Sequence, residues 1–338
     1  MGCRMRHRNQ RLLTFSEFSD SSRGMGAGLL RGWYPIRSTQ LRRWGEAFAK
    51  GQRPSFTLIE LLIVIAVLTL LLAILLPALS LARAKGREVV CLSNLKQLHT
   101  CAKLYSMDYD GFLPPNRNVY NLGTGEPLVG WNDSMTWCAG LAPFDTTTEN
   151  IQRSLLFPYN RSTGIYRCPA DMSRVKTQDG QLLSMRRTRS YSLSQSINGY
   201  PYPRLFAVGS GGGPTPIKYY PPSFVKEHEI DDPPPARLLF FVGVHEDGIL
   251  DSHFGVPPRG PTFKTARPQW WDLPAGRHSQ GGCFSFADGH VERWRWVKPK
   301  IFIELGQLVG QDGEIEDFLR VQRGVRPEKT SPKPEQRQ

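Results

Sequence analysis

Residues 56–77 read FTLIELLIVIAVLTLLLAILLP, and this stretch decides how the rest of the chain is interpreted. The 21 residues before Pro77 contain one charged side chain, Glu60, and two other polar ones, both threonines. As an α-helix with a rise of about 1.5 Å per residue, they measure about 31 Å, which matches the roughly 30 Å hydrocarbon core of a bilayer. A buried helix of a soluble protein would show a polar stripe, and this stretch has none. The sequence therefore predicts a transmembrane helix over residues 56–77.

The positive charge of the chain is concentrated before this helix. The 338 residues carry 43 Lys and Arg against 30 Asp and Glu, a formal charge of +13. Residues 1–55 hold eleven basic and three acidic residues, so they supply +8 of it. The rest keeps +5, which argues against a nucleic acid partner. By the positive-inside rule, residues 1–55 lie in the cytoplasm and the C-terminal part is exported.

Glu60 is the unusual residue of the predicted membrane helix. A carboxylate at this depth costs a few kcal/mol unless it is neutralised, partnered or close to the interface. One interpretation is an interfacial side chain that reaches the lipid headgroups. In the other, the chain is cut between Ser55 and Phe56, and the new α-amino group of one chain neutralises Glu60 of its neighbour in an assembly of such helices.

The motif around the cut resembles a known family. The string Ser55-Phe56-Thr57-Leu58-Ile59-Glu60-Leu61-Leu62, with basic residues before it, is similar to the N-terminal cleavage and methylation motif of type IV pilins and type II secretion pseudopilins, although Ser55 stands where Gly is usual. Pro77 is the twenty-second residue from Phe56, where those proteins commonly kink their first helix. The resemblance implies that a prepilin peptidase cuts before Phe56 and N-methylates it. It also implies that Glu60 aligns subunits during assembly.

The resemblance and the residue patterns together predict an α+β fold, with one long spine helix packed on an antiparallel β-sheet and loop-rich insertions. Apolar residues spaced three and four apart predict that the helix continues amphipathically over residues 78–110. The predicted layout is a removed leader at 1–55, a loop-rich β domain at 111–322 and a disordered tail at 323–338. Strand candidates are Ile165–Cys168, Arg189–Ser194 and Leu238–Val244, and residues 208–222 are rich in Gly and Pro and predict a surface loop.

A second motif lies in residues 278–297. Two alternating runs flank Asp288-Gly289, which predicts a β-hairpin with a type I′ turn. His278, followed after nine residues by Asp288-Gly289, resembles the H-x9-D-G element of planctomycete-type and related bacterial families with prepilin-type N-termini. His278, Asp288 and His290 could form a metal or catalytic cluster. The favoured interpretation is structural: Asp288 caps the turn, Gly289 supplies a positive φ, and His278 bonds a neighbouring loop.

Acidic residues and cysteines of the C-terminal part raise the questions of a calcium site and of a disulfide. Major pseudopilins bind calcium through oxygen ligands in a C-terminal loop, which makes Asp247, Asp251 and Asp272 weak candidates, but no calcium-loop spacing is met and no cofactor is expected. After loss of the leader, five cysteines remain in an oxidising compartment. A Cys91–Cys168 disulfide is predicted on this basis.

Two functions are open from the sequence. The favoured one is a structural subunit without catalytic residues, held in the bacterial inner membrane and then assembled with other pseudopilins or the secretion or pilus machinery. The alternative is a membrane-anchored exported binding module or hydrolase acting on polysaccharide. It would use the His278 region or the tryptophans Trp270, Trp271, Trp294 and Trp296, for which packing in the core is the favoured interpretation.

Overall fold

The structure is a computed structural model that describes residues 56–116, 136–199, 206–208, 214–216, 222–261 and 267–328. These residues form an α+β protein in two compact units, one ending at Leu68 and the other beginning at Thr69. The helices are α1 (Leu58–Asp108), α2 (Glu149–Gln152) and α3 (Glu314–Gln322). The strands are β1 (Arg174–Lys176), β2 (Leu182–Arg186), β3 (Tyr191–Ser194), β4 (Phe206–Val208), β5 (Pro214–Pro216), β6 (Leu239–Gly243), β7 (His253–Phe254), β8 (Gly281–Phe286) and β9 (Val291–Arg295).

Helix α1 begins with a capping box that the sequence analysis did not predict. The Thr57 hydroxyl accepts a hydrogen bond from the Glu60 N–H at 3.3 Å, and the Glu60 carboxylate accepts one from the Thr57 N–H at 2.9 Å. Two N–H groups that have no partner within the helix are satisfied in this way. The helix continues through Pro77 and ends before Asp110 and Gly111, whose φ angles of 48° and 77° leave the helical region.

The two halves of α1 have different surroundings. Every residue from 56 to 83 is exposed, and this is the one described helix long and apolar enough to cross a membrane. From Cys91 onward, one face of the helix is buried in the larger unit. The residues of that face are Cys91, Leu95, Leu98, Ala102 and Tyr105.

The central sheet has five strands in the order β7-β3-β6-β8-β9. Three of its four pairings are antiparallel, as predicted, whereas β3 and β7 pair in parallel. The reason is the path of the chain. After β6 the chain crosses to the other side of β3 and forms β7 at that edge of the sheet. There β7 runs antiparallel to β6 and therefore parallel to β3. The sheet is mixed rather than purely antiparallel.

Each face of this sheet carries an apolar core. On one face, the buried side of α1 packs with strand residues such as Tyr191, Phe241 and Cys283. On the other face, Phe284, Trp294 and Trp296 pack with Phe318 and Val321 of α3, an amphipathic helix that the sequence analysis did not predict. The sheet therefore lies between the spine helix and a second layer.

Three local predictions are wrong in part. The strand candidate at Ile165–Cys168 begins instead as a 3₁₀ turn at Gly164–Tyr166, in which Ile165 and Tyr166 are both buried. In a strand, these two neighbouring side chains would point to opposite faces. The predicted loop at 208–222 contains part of a two-stranded ribbon of β4 and β5. The predicted disordered tail is ordered over residues 323–328, because Val325 is fully buried in the core.

Candidate functional site

The H-x9-D-G motif forms a hairpin of β8 and β9, as its alternation predicts, but with a different turn. The Gly289 N–H donates to the Phe286 carbonyl at 2.8 Å, and the Phe286 N–H donates to the His290 carbonyl at 3.0 Å. Gly289 has a φ of 92°, whereas Asp288 is not among the residues with positive φ. A type I′ turn would need positive φ at both residues, so this prediction is wrong. The loop has three residues and closes with a left-handed glycine.

Asp288 stabilises this turn. Its carboxylate accepts a hydrogen bond from the His290 N–H at 3.1 Å and lies 2.6 Å from Nδ1 of the same residue. Partial burial opposes ionisation of Asp288, but the bonds from His290 outweigh it and hold the pKa of the carboxyl below its usual value. The predicted capping role of Asp288 is confirmed.

His278 lies at the opposite end of β8 from Asp288. A six-residue strand spans about 20 Å, so His278 cannot join Asp288 and His290 in one cluster. His278 is 4% exposed, and its Nε2 lies 3.2 Å from Sγ of Cys168 on a neighbouring segment. The imidazole therefore belongs to the protein interior.

The hairpin is fixed to the spine helix along its length. The Lys96 ammonium on α1 donates to the Gly289 carbonyl at 2.7 Å. Arg293 of β9 pairs with Glu88 of α1 at 3.2 Å, and its Nε donates to the His278 carbonyl at 2.8 Å. The H-x9-D-G element thus docks β8 and β9 on the C-terminal half of α1.

A cluster of thiols surrounds His278. Ligand atoms of Cys91, His278 and Cys283 lie within 4.8 Å of one another, which is the one such group of three or more among the described residues. All five described cysteines are free thiols, so the predicted Cys91–Cys168 disulfide is absent. The Tyr191 hydroxyl donates to Sγ of Cys91 at 3.1 Å. Contact with the Cys91 thiol and burial raise the pKa of the Cys168 thiol to about 12.

The three weak calcium candidates do not form a comparable group within the described residues. Asp272 accepts a hydrogen bond from the Gly255 N–H at 2.7 Å, and Asp251 accepts one from the His253 N–H at 2.8 Å. Burial and the nearby charge of Asp251 raise the pKa of Asp272 well above its usual value, although the bond from Gly255 opposes the shift. Asp247 shares no three-ligand group with them.

The tryptophans do not form an exposed platform for a polysaccharide. Trp270, Trp294 and Trp296 are buried, with 7% exposure at most, and Trp271 is half-buried. The Trp296 indole N–H donates to the Ala275 carbonyl at 2.8 Å. These three rings serve the core of the sheet, as the favoured interpretation predicts.

At the predicted cleavage site, Phe56 is exposed, whereas Ser55 lies outside the described residues. The capping box places the Glu60 carboxylate at the first turn of α1. Comparison of the chain with protein-family models, with curated proteins and with solved structures finds no match in any of the three.

Proposed function

We propose that the chain is a pseudopilin-like structural subunit that a prepilin peptidase processes before Phe56. It then assembles through α1 into a filament of the type II secretion or type IV pilus kind. The observation that carries this proposal is the division of α1 into a bare apolar half with one carboxylate, Glu60, and a second half packed on a sheet. A subunit of this kind works by assembly and needs no catalytic residues.

The bare half of α1 must be covered in the cell. Soluble proteins rarely expose contiguous apolar patches above a few hundred Å², and every residue from 56 to 83 is exposed. Lipid covers this surface while the chain is held in the membrane, and neighbouring copies of α1 cover it in a filament. The second half of α1 packs on the sheet and so attaches the exported domain to the helix. The apolar half makes no such contact and is free to assemble with other copies.

The basic leader supports an orientation. Residues 1–55 supply +8 of the +13 charge, which favours a cytoplasmic leader and an exported C-terminal domain in the bacterial inner membrane. Cleavage before Phe56 removes these charges and creates an α-amino group close to Glu60. That amine on one chain then neutralises Glu60 of the next chain, which gives assembly its register.

The capping box makes the choice of Glu60 variant important. Glu60→Ala removes both the negative charge and the acceptor for the Thr57 N–H, whereas Glu60→Gln removes the charge and keeps an acceptor. If the charge serves assembly, Glu60→Gln retains the helix start and loses chain–chain contact. A lost charge pair worth a few kcal/mol corresponds to at least a tenfold loss of association.

The experiment measures contact between neighbouring chains in bacterial membranes that also contain a prepilin peptidase and an assembly platform. A photo-crosslinking residue replaces Leu71, which is 59% exposed on the apolar half of α1. We expect Glu60→Gln to lower the yield of cross-linked dimers at least tenfold while the leader is still removed. Glu304→Gln, on the exposed surface of the exported domain, is the matched control. Unchanged cross-linking in Glu60→Gln would contradict the proposal and favour a simple membrane tether.

A further inference from the structure

The cluster around His278 gathers four soft metal ligands from three separate parts of the chain. Cys91 lies on α1, Cys168 follows the 3₁₀ turn at Gly164–Tyr166, and His278 and Cys283 lie at the start of the hairpin. All four are buried, with 4% exposure at most. Three elements far apart in sequence thus place a thiol or an imidazole at one point of the core.

The distances suit one small cation. Ligand atoms of Cys91, His278 and Cys283 lie within 4.8 Å of one another. Sγ of Cys168 lies 3.2 Å from Nε2 of His278 and is in hydrogen-bonding contact with the Cys91 thiol, so it stands at the edge of this group. In a tetrahedral zinc site, bonds of about 2.3 Å to sulfur and about 2.0 Å to nitrogen place neighbouring ligand atoms about 3.5–3.8 Å apart. Cys168 lies outside the group of three, so binding of one ion by all four side chains requires its Sγ to move toward the other ligand atoms.

We propose that Cys91, Cys168, His278 and Cys283 bind one structural Zn²⁺ ion. Three thiolates and one imidazole are a ligand set typical of closed structural zinc sites, and soft thiolates select zinc over calcium or magnesium. With all four positions filled by the protein, the ion has no open coordination position and serves folding rather than catalysis.

The surroundings of the cluster suit a site of this charge. Zn²⁺ with three thiolates carries one net negative charge. The buried guanidinium of Arg277, next to His278, pairs with Asp171 at 3.8 Å and with Glu246 at 2.9 Å, and it also interacts with the charges of Cys91 and Cys168. Tyr191 donates a hydrogen bond to Sγ of Cys91 at 3.1 Å, as partners of metal-bound thiolates commonly do. The site therefore has a hydrogen-bond donor in place and a positive charge nearby, which it shares with two carboxylates.

The ion would join the spine helix to the sheet. It would link α1 through Cys91 to the segment of Cys168 and to the hairpin, and it gives His278 of the H-x9-D-G element a specific role. Because metal binding and folding are coupled in such sites, the ion would enter as the domain folds. This inference does not depend on whether the chain forms a filament.

The test uses the full chain, extracted in mild detergent without chelator and dialysed against buffer with a trace of Zn²⁺. Elemental analysis is expected to find about one zinc per chain, and the chain refolded with Co²⁺ is expected to show the visible bands of a tetrahedral thiolate-bound Co²⁺ site. Less than a tenth of a zinc per chain, together with no such Co²⁺ bands, would overturn the proposal without any variant.

Variants identify the ligands. We expect Cys91→Ser, Cys168→Ser, Cys283→Ser and His278→Ala each to lower the zinc content at least tenfold. Cys101→Ser is the matched control, because Cys101 is a buried thiol on the same helix, outside the cluster. Zinc loss in Cys101→Ser as well, zinc retention in Cys168→Ser, or a disulfide within the cluster of the protein purified without reductant would each overturn the proposal.

Discussion

Replacing Gly289 by Ala tests whether the turn of the H-x9-D-G hairpin is docked on the spine helix. A Cβ at this position would lie 3.2 Å from Cδ2 and 3.3 Å from Nε2 of His99, closer than the ordinary contact of about 3.5–4.0 Å. His99 is buried against the Phe240 ring at a centroid distance of 4.7 Å, so it has little room to move. The φ of 92° adds strain of about 1–2 kcal/mol for any residue other than Gly.

Gly180 is the matched control. Its φ of 83° imposes similar strain, but a Cβ there would meet no atom within 4 Å. We therefore expect Gly180→Ala to lower the free energy of unfolding by about 1–2 kcal/mol, and Gly289→Ala to lower it by about 1–2 kcal/mol more, because the packed His99 must shift.

Urea unfolding of the detergent-solubilised chain, followed by the fluorescence of its buried tryptophans, measures both losses. Equal losses for the two variants would refute the docking of the turn on α1.

Two further predictions concern buried titratable side chains of the larger unit. Lys300 and Asp317 form a buried ion pair at 2.7 Å, so Asp317→Ala should lower the free energy of unfolding, measured in urea, by about 3–5 kcal/mol. Asp312→Ala, on the surface, should change it by less than about 0.5 kcal/mol. A loss below about 1 kcal/mol for Asp317→Ala would contradict the stabilising role of the pair. Burial, helped by two nearby lysines, lowers the pKa of His99 from 6.5 to about 4. The unfolded chain therefore takes up the proton first as pH falls, and His99 alone should lower the free energy of unfolding by about 3 kcal/mol between pH 6.5 and pH 4. Burial also lowers the pKa of His253 to about 4, so thermal melts across this range should show that His99→Gln reduces the pH dependence and leaves the part that comes from His253.

The helix and the hairpin were predictable because their signals are local. The apolar run and the three-and-four spacing predict a helix to residue 110, and α1 runs from Leu58 to Asp108. Alternation on both sides of Asp288-Gly289 predicts two strands, which the structure has as β8 and β9. The type of turn was not predictable from Asp-Gly alone, because both a type I′ turn and a three-residue loop accept Gly after Asp.

The strand order and the thiol cluster depend on contacts distant in sequence. β7 pairs with β3 only because of the path taken after β6, which no short pattern encodes. The predicted Cys91–Cys168 disulfide is absent, although the two thiols are in contact. His278, which the sequence links to Asp288 through the H-x9-D-G spacing, lies instead beside Cys168. The available signal was the short spacing of His278 and Cys283, five residues apart at the start of one hairpin.

The most direct test of the proposed function is the N-terminus of the chain after extraction from membranes that contain a prepilin peptidase. Mass spectrometry of the terminal peptide is predicted to find N-methylated Phe56 as the first residue, with residues 1–55 removed. Mature protein that begins upstream of Phe56, with the leader intact, would contradict processing and assembly through α1.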